Sequence, residues 1–177
     1  MDELNRGYFD DFKDFREKQG KVFFAPERLT PAAHAAAFPP IEPLLPDGSK
    51  TAFPPLEAPP GSAPALSLVC IAFRAGAEGM LQAWAAPFSS SFQHEPRAAL
   101  FEIALIESTV MALWPFRAML LGAGAQRQTQ RAMPTTYLVQ FGGVERVRAA
   151  LHMTNRLTGW VRSFAPQGAE KATATPP

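Results

Sequence analysis

Hydrophobic positions along the chain fall into two regimes that meet near residue 65. Downstream, short apolar runs alternate with amphipathic stretches. LSLVCIAF at 66–73 is a continuous run rich in strand formers and predicts a buried strand. Residues 78–92 place Met80, Leu81, Trp84 and Phe88 on one helical face, with Pro87 as a kink or a stop. AALFEIALI at 98–106 predicts a second buried strand. A second helical region follows, capped by Ser108 and running through Met111, Trp114, Met119 and Leu120. Pro115 breaks it or starts it afresh, and Gly122 and Gly124 loosen its end. TTYLVQF at 135–141 is a third strand and Gly142-Gly143 a turn. A short helix at 144–151 turns Val144, Val147 and Leu151 inward, and GWVRSF at 159–164 is a last strand. A helical crossover returns the chain parallel. Strands 66–73, 98–106 and 135–141 are therefore expected in one sheet, the first two parallel, in an α/β fold.

Upstream of residue 65 the pattern is different. Leu4, Tyr8, Phe12 and Phe15 recur at spacings of four, four and three among charged residues, which predicts a short amphipathic helix ended by Gly20. Pro26, Pro31, Pro39 and Pro40 then forbid a long helix or an interior strand. This segment is expected to be extended, with Phe23, Phe24 and Phe38 as anchors, and 43–64 to be the most mobile part. Eleven of the 18 prolines lie between Pro26 and Pro64. The division reads as an arm at 1–64, a domain at 65–165 and a polar, disordered tail at 166–177.

Charge supports the same boundary. Residues 1–64 hold seven basic and ten acidic residues, and 65–177 hold ten basic and six acidic. The net charge of +1 gives no support to nucleic-acid binding. Arg127, Arg131, Arg146, Arg148, Arg156 and Arg162 form a diffuse basic set, read either as a solvated surface or as a face for an acidic partner or lipid head groups. The apolar stretch 110–125 is sixteen residues and carries Arg117 and Pro115, so it reads as a core helix and not a span, which needs about 20 residues. Contact with a membrane protein stays open.

Catalytic chemistry finds little support. One cysteine, Cys70, excludes an intramolecular disulfide, and His34, His94 and His152 form no metal-ligand spacing. The strand order is compatible with a thioredoxin-like sheet. Such an enzyme would carry its nucleophile just after the first strand, where the helix N-terminus lowers a thiol pKa. Here that stretch is Phe73-Arg-Ala-Gly-Ala-Glu-Gly-Met80, without cysteine. Pro134 precedes the third strand, where such folds often hold a cis-proline; an ordinary trans proline is the alternative. Gly122-Ala-Gly124 lacks the phosphate-loop pattern. Glu102 and Glu107 read as a catalytic acid pair or, more plainly, as strand-end residues.

Two stretches carry a family resemblance. In YFDDFKDFREKQGKVFFAPERLTPAAHAAAFPPIE a helix is followed by Gly20-Lys21, Ala25-Pro26 and Ala37-Phe38-Pro39. This resembles the GK…AP…AxxFPN signature of the mitochondrial ATP-synthase assembly factor ten family, with Pro40 in place of the Asn. In YLVQFGGVERVRAALHMTNRLTGWVRSF, Leu151, Asn155, Gly159, Trp160 and Val161 match the family's LxxxN and G[YW]V. The region LSLVCIAFRAGAEGMLQAWAAPF is similar to the family's first strand and following helix.

The resemblance implies a thioredoxin-like domain without redox cysteines and no cofactor. It also implies a non-enzymatic chaperone for subunit a of the ATP-synthase membrane sector, aiding its assembly with the subunit c ring. It places the protein peripherally on the matrix side of the mitochondrial inner membrane. The acidic start, MDELNRGYFDDF, is not a transit peptide, so either none exists or the chain is a mature form or fragment. Partner contacts are expected from Lys21, Phe23, Phe24, Pro26, Phe38 and Pro39 in the arm, with Asn155 and Trp160 beside them; packing of the arm on its own domain is the competing role. An accessory structural subunit of a respiratory or ATP-synthase complex is the second reading, and a Cys70-dependent peroxidase the third.

Overall fold

The computed structural model describes residues 30, 34–55, 64, 66–73, 75–129, 133–153, 156, 158–164 and 173–174. Its regular elements are β1 Leu66–Ala72, α1 Glu78–Phe92, β2 Ala98–Ile106, α2 Phe116–Thr129, β3 Thr135–Phe141, α3 Val144–Ala150, β4 Trp160–Phe164 and β5 Thr173–Ala174. They build one sheet of order β3-β2-β1-β4-β5. β1 is parallel to β2, and β2 to β3. On the other side of β1, β4 and then β5 run antiparallel. Two helical crossovers on one flank and an antiparallel pair on the other make this a thioredoxin-like arrangement. The two-residue β5 falls in the tail expected to be disordered.

Alternation along the strands decides what each face receives. Leu68, Cys70, Leu100 and Val161 meet Leu81 and Ala85 of α1. Tyr137 and Val139 continue that face and meet Leu121 of α2. The opposite face carries Val69, Ile71, Ile103, Leu105 and Leu138, covered by Val144 and Val147 of α3. One short helix is too little to cover it. Phe38, Ile41 and Phe53, from upstream of the sheet, complete the cover. Each such buried side chain contributes about 1.5–3 kcal/mol.

The docking of 41–55 departs from the mobility expected there. Ile41 pairs with Phe53 and Leu44 with Lys50, closing an antiparallel turn. Gly48 donates to the Leu45 carbonyl and Leu45 to that of Ser49. The Asp47 carboxylate accepts from both the hydroxyl and the N–H of Ser49. The hydroxyl first, then the N–H, hold its pKa below the usual carboxylate value. Leu44 then exchanges two backbone hydrogen bonds with Val139, of 2.8 and 2.9 Å, on the outer edge of β3. Proline forbids helix here, but Ile41, Leu44 and Phe53 still have N–H groups to donate and apolar side chains to bury. The expected N-terminal helix and the anchors Phe23 and Phe24 lie outside the described residues.

One local expectation changes, and two open alternatives are decided. α1 runs through Pro87 to Phe92. Ser108 caps no long helix: a 3-10 turn spans Val110–Ala112 after Thr109, and α2 begins only at Phe116. The Met133–Pro134 bond is not cis, whereas Phe53–Pro54 and Trp114–Pro115 are.

Candidate functional site: an arm-built groove and an exposed apolar segment

The position where a thioredoxin-like enzyme keeps its thiol is occupied by a 3-10 turn, Ala75–Ala77, leading into α1. Cys70 sits within β1 and is fully buried. A thiol held there has neither a helix N-terminus nor solvent beside it, and behaves as a small apolar residue. Glu102 and Glu107 do not form an acid pair either: Glu102 is buried in β2, and Glu107 binds Arg156 at 2.7 Å.

The arginines read as a diffuse basic surface are largely internal fasteners. Arg162, 7% exposed, donates to the carbonyl of Ala36 at 2.6 Å and of Leu151 at 3.1 Å. Its burial lowers its guanidinium pKa. Arg146 donates to the Pro40 carbonyl at 2.9 Å. Arg127 binds Glu78, joining α2 to α1, and Arg148 binds Glu145. Arg131 lies outside the described residues. Charged donors on backbone carbonyls are stronger than neutral ones, and two of them fix the arm at Ala36 and Pro40.

With the arm fixed, a groove of about 930 Å³ opens between it and the end of the sheet where the parallel strands finish. Ile41, Phe53 and Pro54 form one wall, and Ala112, Arg117 and Phe141 the other. Gln140 lines it; its amide nitrogen donates to the carbonyls of Phe141 and Gly142, while its buried Oε1 has no partner among the described residues.

Beside the groove lies the most exposed apolar segment of the described residues. Trp114 is 82% exposed and Leu113 61%, with Met119, Phe116 and Val110 also open to solvent. The stretch expected to be a core helix thus turns its first half outward. A 3-10 turn and Pro115 hold it off the sheet, and burial begins only further along α2, at Leu121 and Gly124. Nothing in its hydrophobicity separates outward from inward residues; the break at Pro115 was the one available signal.

Among the residues singled out in the sequence, Phe38 is 6% exposed and packs edge-on to Phe53, at 5.0 Å between ring centroids. Trp160 packs half-buried against the same cluster, and Pro39 is half-buried. Phe38 and Trp160 are therefore brought together, as parts of the arm's seat. Lys21, Phe23, Phe24, Pro26 and Asn155 lie outside the described residues.

Among solved structures, the chain is similar to BsSco, a member of the Sco family of cytochrome c oxidase assembly proteins in which a disulfide switch was identified. The identity is 9% and the TM-score 0.49, over 80% of this chain and 83% of that one. It is also similar to an uncharacterized conserved protein from Geobacillus kaustophilus, at 12% identity and a TM-score of 0.48, over 80% and 68%. No curated protein matches the chain significantly. The family described as ATP10 protein matches residues 1–163. That match runs from the arm, across the cysteine-free turn, into β4. No helix of the described residues is long and apolar enough to cross a membrane. The chain belongs to the ATP10 family, and is a non-enzymatic assembly factor for the ATP-synthase membrane sector, peripheral to the mitochondrial inner membrane.

Proposed function

We propose that this protein holds subunit a of the membrane sector on the matrix side of the inner membrane until the subunit c ring joins it. The client sits in the groove between the docked arm and the start of α2. The observation that carries this reading is the groove itself: an open, largely apolar cleft made by the arm on a fold without a thiol at its usual place. Apolar walls suit a hydrophobic client. Lys21, Phe23, Phe24 and Pro26 extend the contact upstream, and Asn155 adds to it from beyond α3. Phe38, Pro39 and Trp160 act by seating the arm.

A photo-crosslinking residue at Ala52, exposed on the groove, should trap subunit a in mitochondria. The same residue at His94, exposed before β2 and so at the opposite end of the sheet, should not. Equal yields from both positions would refute the groove as the site. Stoichiometric recovery with the mature enzyme would make the protein a permanent subunit.

A further inference from the structure

We propose that the segment around Trp114 is a membrane-docking element: Leu113, Trp114, Phe116 and Met119 enter the head-group layer of an anionic bilayer. The proposal takes from the functional reading only the location at the inner membrane. Its own ground is the chemistry of the segment. Five large apolar side chains within ten residues are open to solvent, with the indole of Trp114 the most exposed. Phe116 and Met119 stand three apart on the first turns of α2, on one face of the helix. Trp is the residue best matched to the boundary between head groups and acyl chains, because its ring is amphipathic.

Charge selects a lipid surface over an apolar protein surface. No Asp or Glu occurs between Glu107 and Glu145, whereas Arg117 lies within the apolar segment itself. Arg117 stands in the middle of the apolar group, exposed, and also lines the groove. Across the groove, Lys50 pairs with Glu42 at 3.8 Å and Arg146 is held by the Pro40 carbonyl. An apolar tip beside a cation that has no acidic partner among the described residues, with no acid within the element, fits anionic head groups, to which each such cation adds attraction. Seated this way, the tip would put the mouth of the groove at the bilayer surface, where a newly inserted client presents its matrix segments.

Flotation of the purified full chain with vesicles tests this. Phosphatidylcholine vesicles containing cardiolipin should carry the protein, and pure phosphatidylcholine vesicles should carry much less. The double variant Leu113→Ser, Trp114→Ser should lower partitioning at least tenfold, and Arg117→Gln about fivefold on anionic vesicles only. Both alter exposed side chains, so unchanged melting temperatures would confirm that they fold. With Trp84→Phe and Trp160→Phe, the remaining Trp114 emission should shift to shorter wavelength on binding and be quenched by brominated lipid. Absence of vesicle binding, a Trp114 that stays in water, or full binding by the double variant would overturn the proposal. A double variant that floats normally but loses the Ala52 adduct would identify the tip as a protein-binding surface instead. Loss of that adduct at Ala52 in the wild-type tip, with flotation intact, would count against the groove and leave the membrane element standing.

Discussion

A Cβ added at Gly124 would overlap the ring of Tyr137, whereas one added at Gly122 would meet nothing within 4 Å. Both glycines lie in α2, where a sequence reading takes them as loosening the helix. Only one of them has that meaning. Gly124 lets the helix approach β3, and Tyr137 uses the space. Gly122→Ala should raise stability by about 0.5–1 kcal/mol. Gly124→Ala should lower it by about 1–2 kcal/mol, since overpacking exceeds the gain in helix propensity. Urea midpoints moving in the same direction would contradict this contact. Gly159 has a similar reason: its Cβ would come within 2.5 Å of the Leu81 side chain. Arg162 is the other decisive residue. Replacing it by Met keeps the stem and removes the donors from the Ala36 and Leu151 carbonyls. We expect a loss of about 1.5–3 kcal/mol and faster proteolytic cutting before Ile41. A cutting rate equal to the wild type's would show that the arm is held without it.

At the scale of elements, the arm behaves as part of the core. Phe53 lies between two rings, 5.0 Å from Phe38 and 5.1 Å from Phe101 of β2. Phe38→Ala or Phe53→Ala should each cost about 3–5 kcal/mol, as for an interior residue of the sheet. If either melts like the wild type, the arm is a linker and its packing contributes nothing. Phe24, outside the described residues, separates from them by the same measurement: if it contacts the client, Phe24→Ala should leave melting unchanged and lower ATP-synthase assembly. The β1–α1 connection makes the opposite point. Its turn has the place of a redox loop and none of the chemistry. Cys70, buried in the strand before it, should resist thiol reagents until the protein unfolds, and Cys70→Ser should change no activity. Rapid labelling of the folded protein would contradict its burial.

For the whole molecule, stability should depend on pH at the alkaline end. Burial raises the Tyr137 phenol above its usual 10.0, with Glu102 and Glu78 adding to the rise and the nearby Arg127 opposing it. A raised folded-state value means that the native protein favours the neutral phenol. The stabilisation is complete below the unfolded value, near 10, and is lost as pH rises through the higher folded one. Melting temperature should fall across that window, and Tyr137→Phe should flatten the fall. An identical fall in the variant would assign it to other groups. The arm's closure of the β3 edge bears on the same scale. Leu44 occupies hydrogen-bonding positions at Val139 that would otherwise offer an open edge for pairing with another chain.

Apolar runs of strand formers separated by amphipathic stretches were enough to place strands at 66–73, 98–106 and 135–141 in one sheet and to make the first two parallel, because a helical crossover leaves little choice; that the third is parallel as well came from the structure. The missing thiol was equally legible, since a nucleophile is a residue type at a place in the chain. Tertiary structure alone decided the rest. Arg146 and Arg162 look like surface charge until the carbonyls of Ala36 and Pro40, more than a hundred residues away, are brought against them. Phe38 looks like an anchor on an extended arm, and Phe53 like part of its most mobile stretch, until one face of the sheet is found to lack a cover. Trp114 looks like a core residue until Pro115 and the turn before it lift it clear of the sheet. Local pattern determines which residues seek burial, but whether each finds it depends on the area left open by elements far away in the chain.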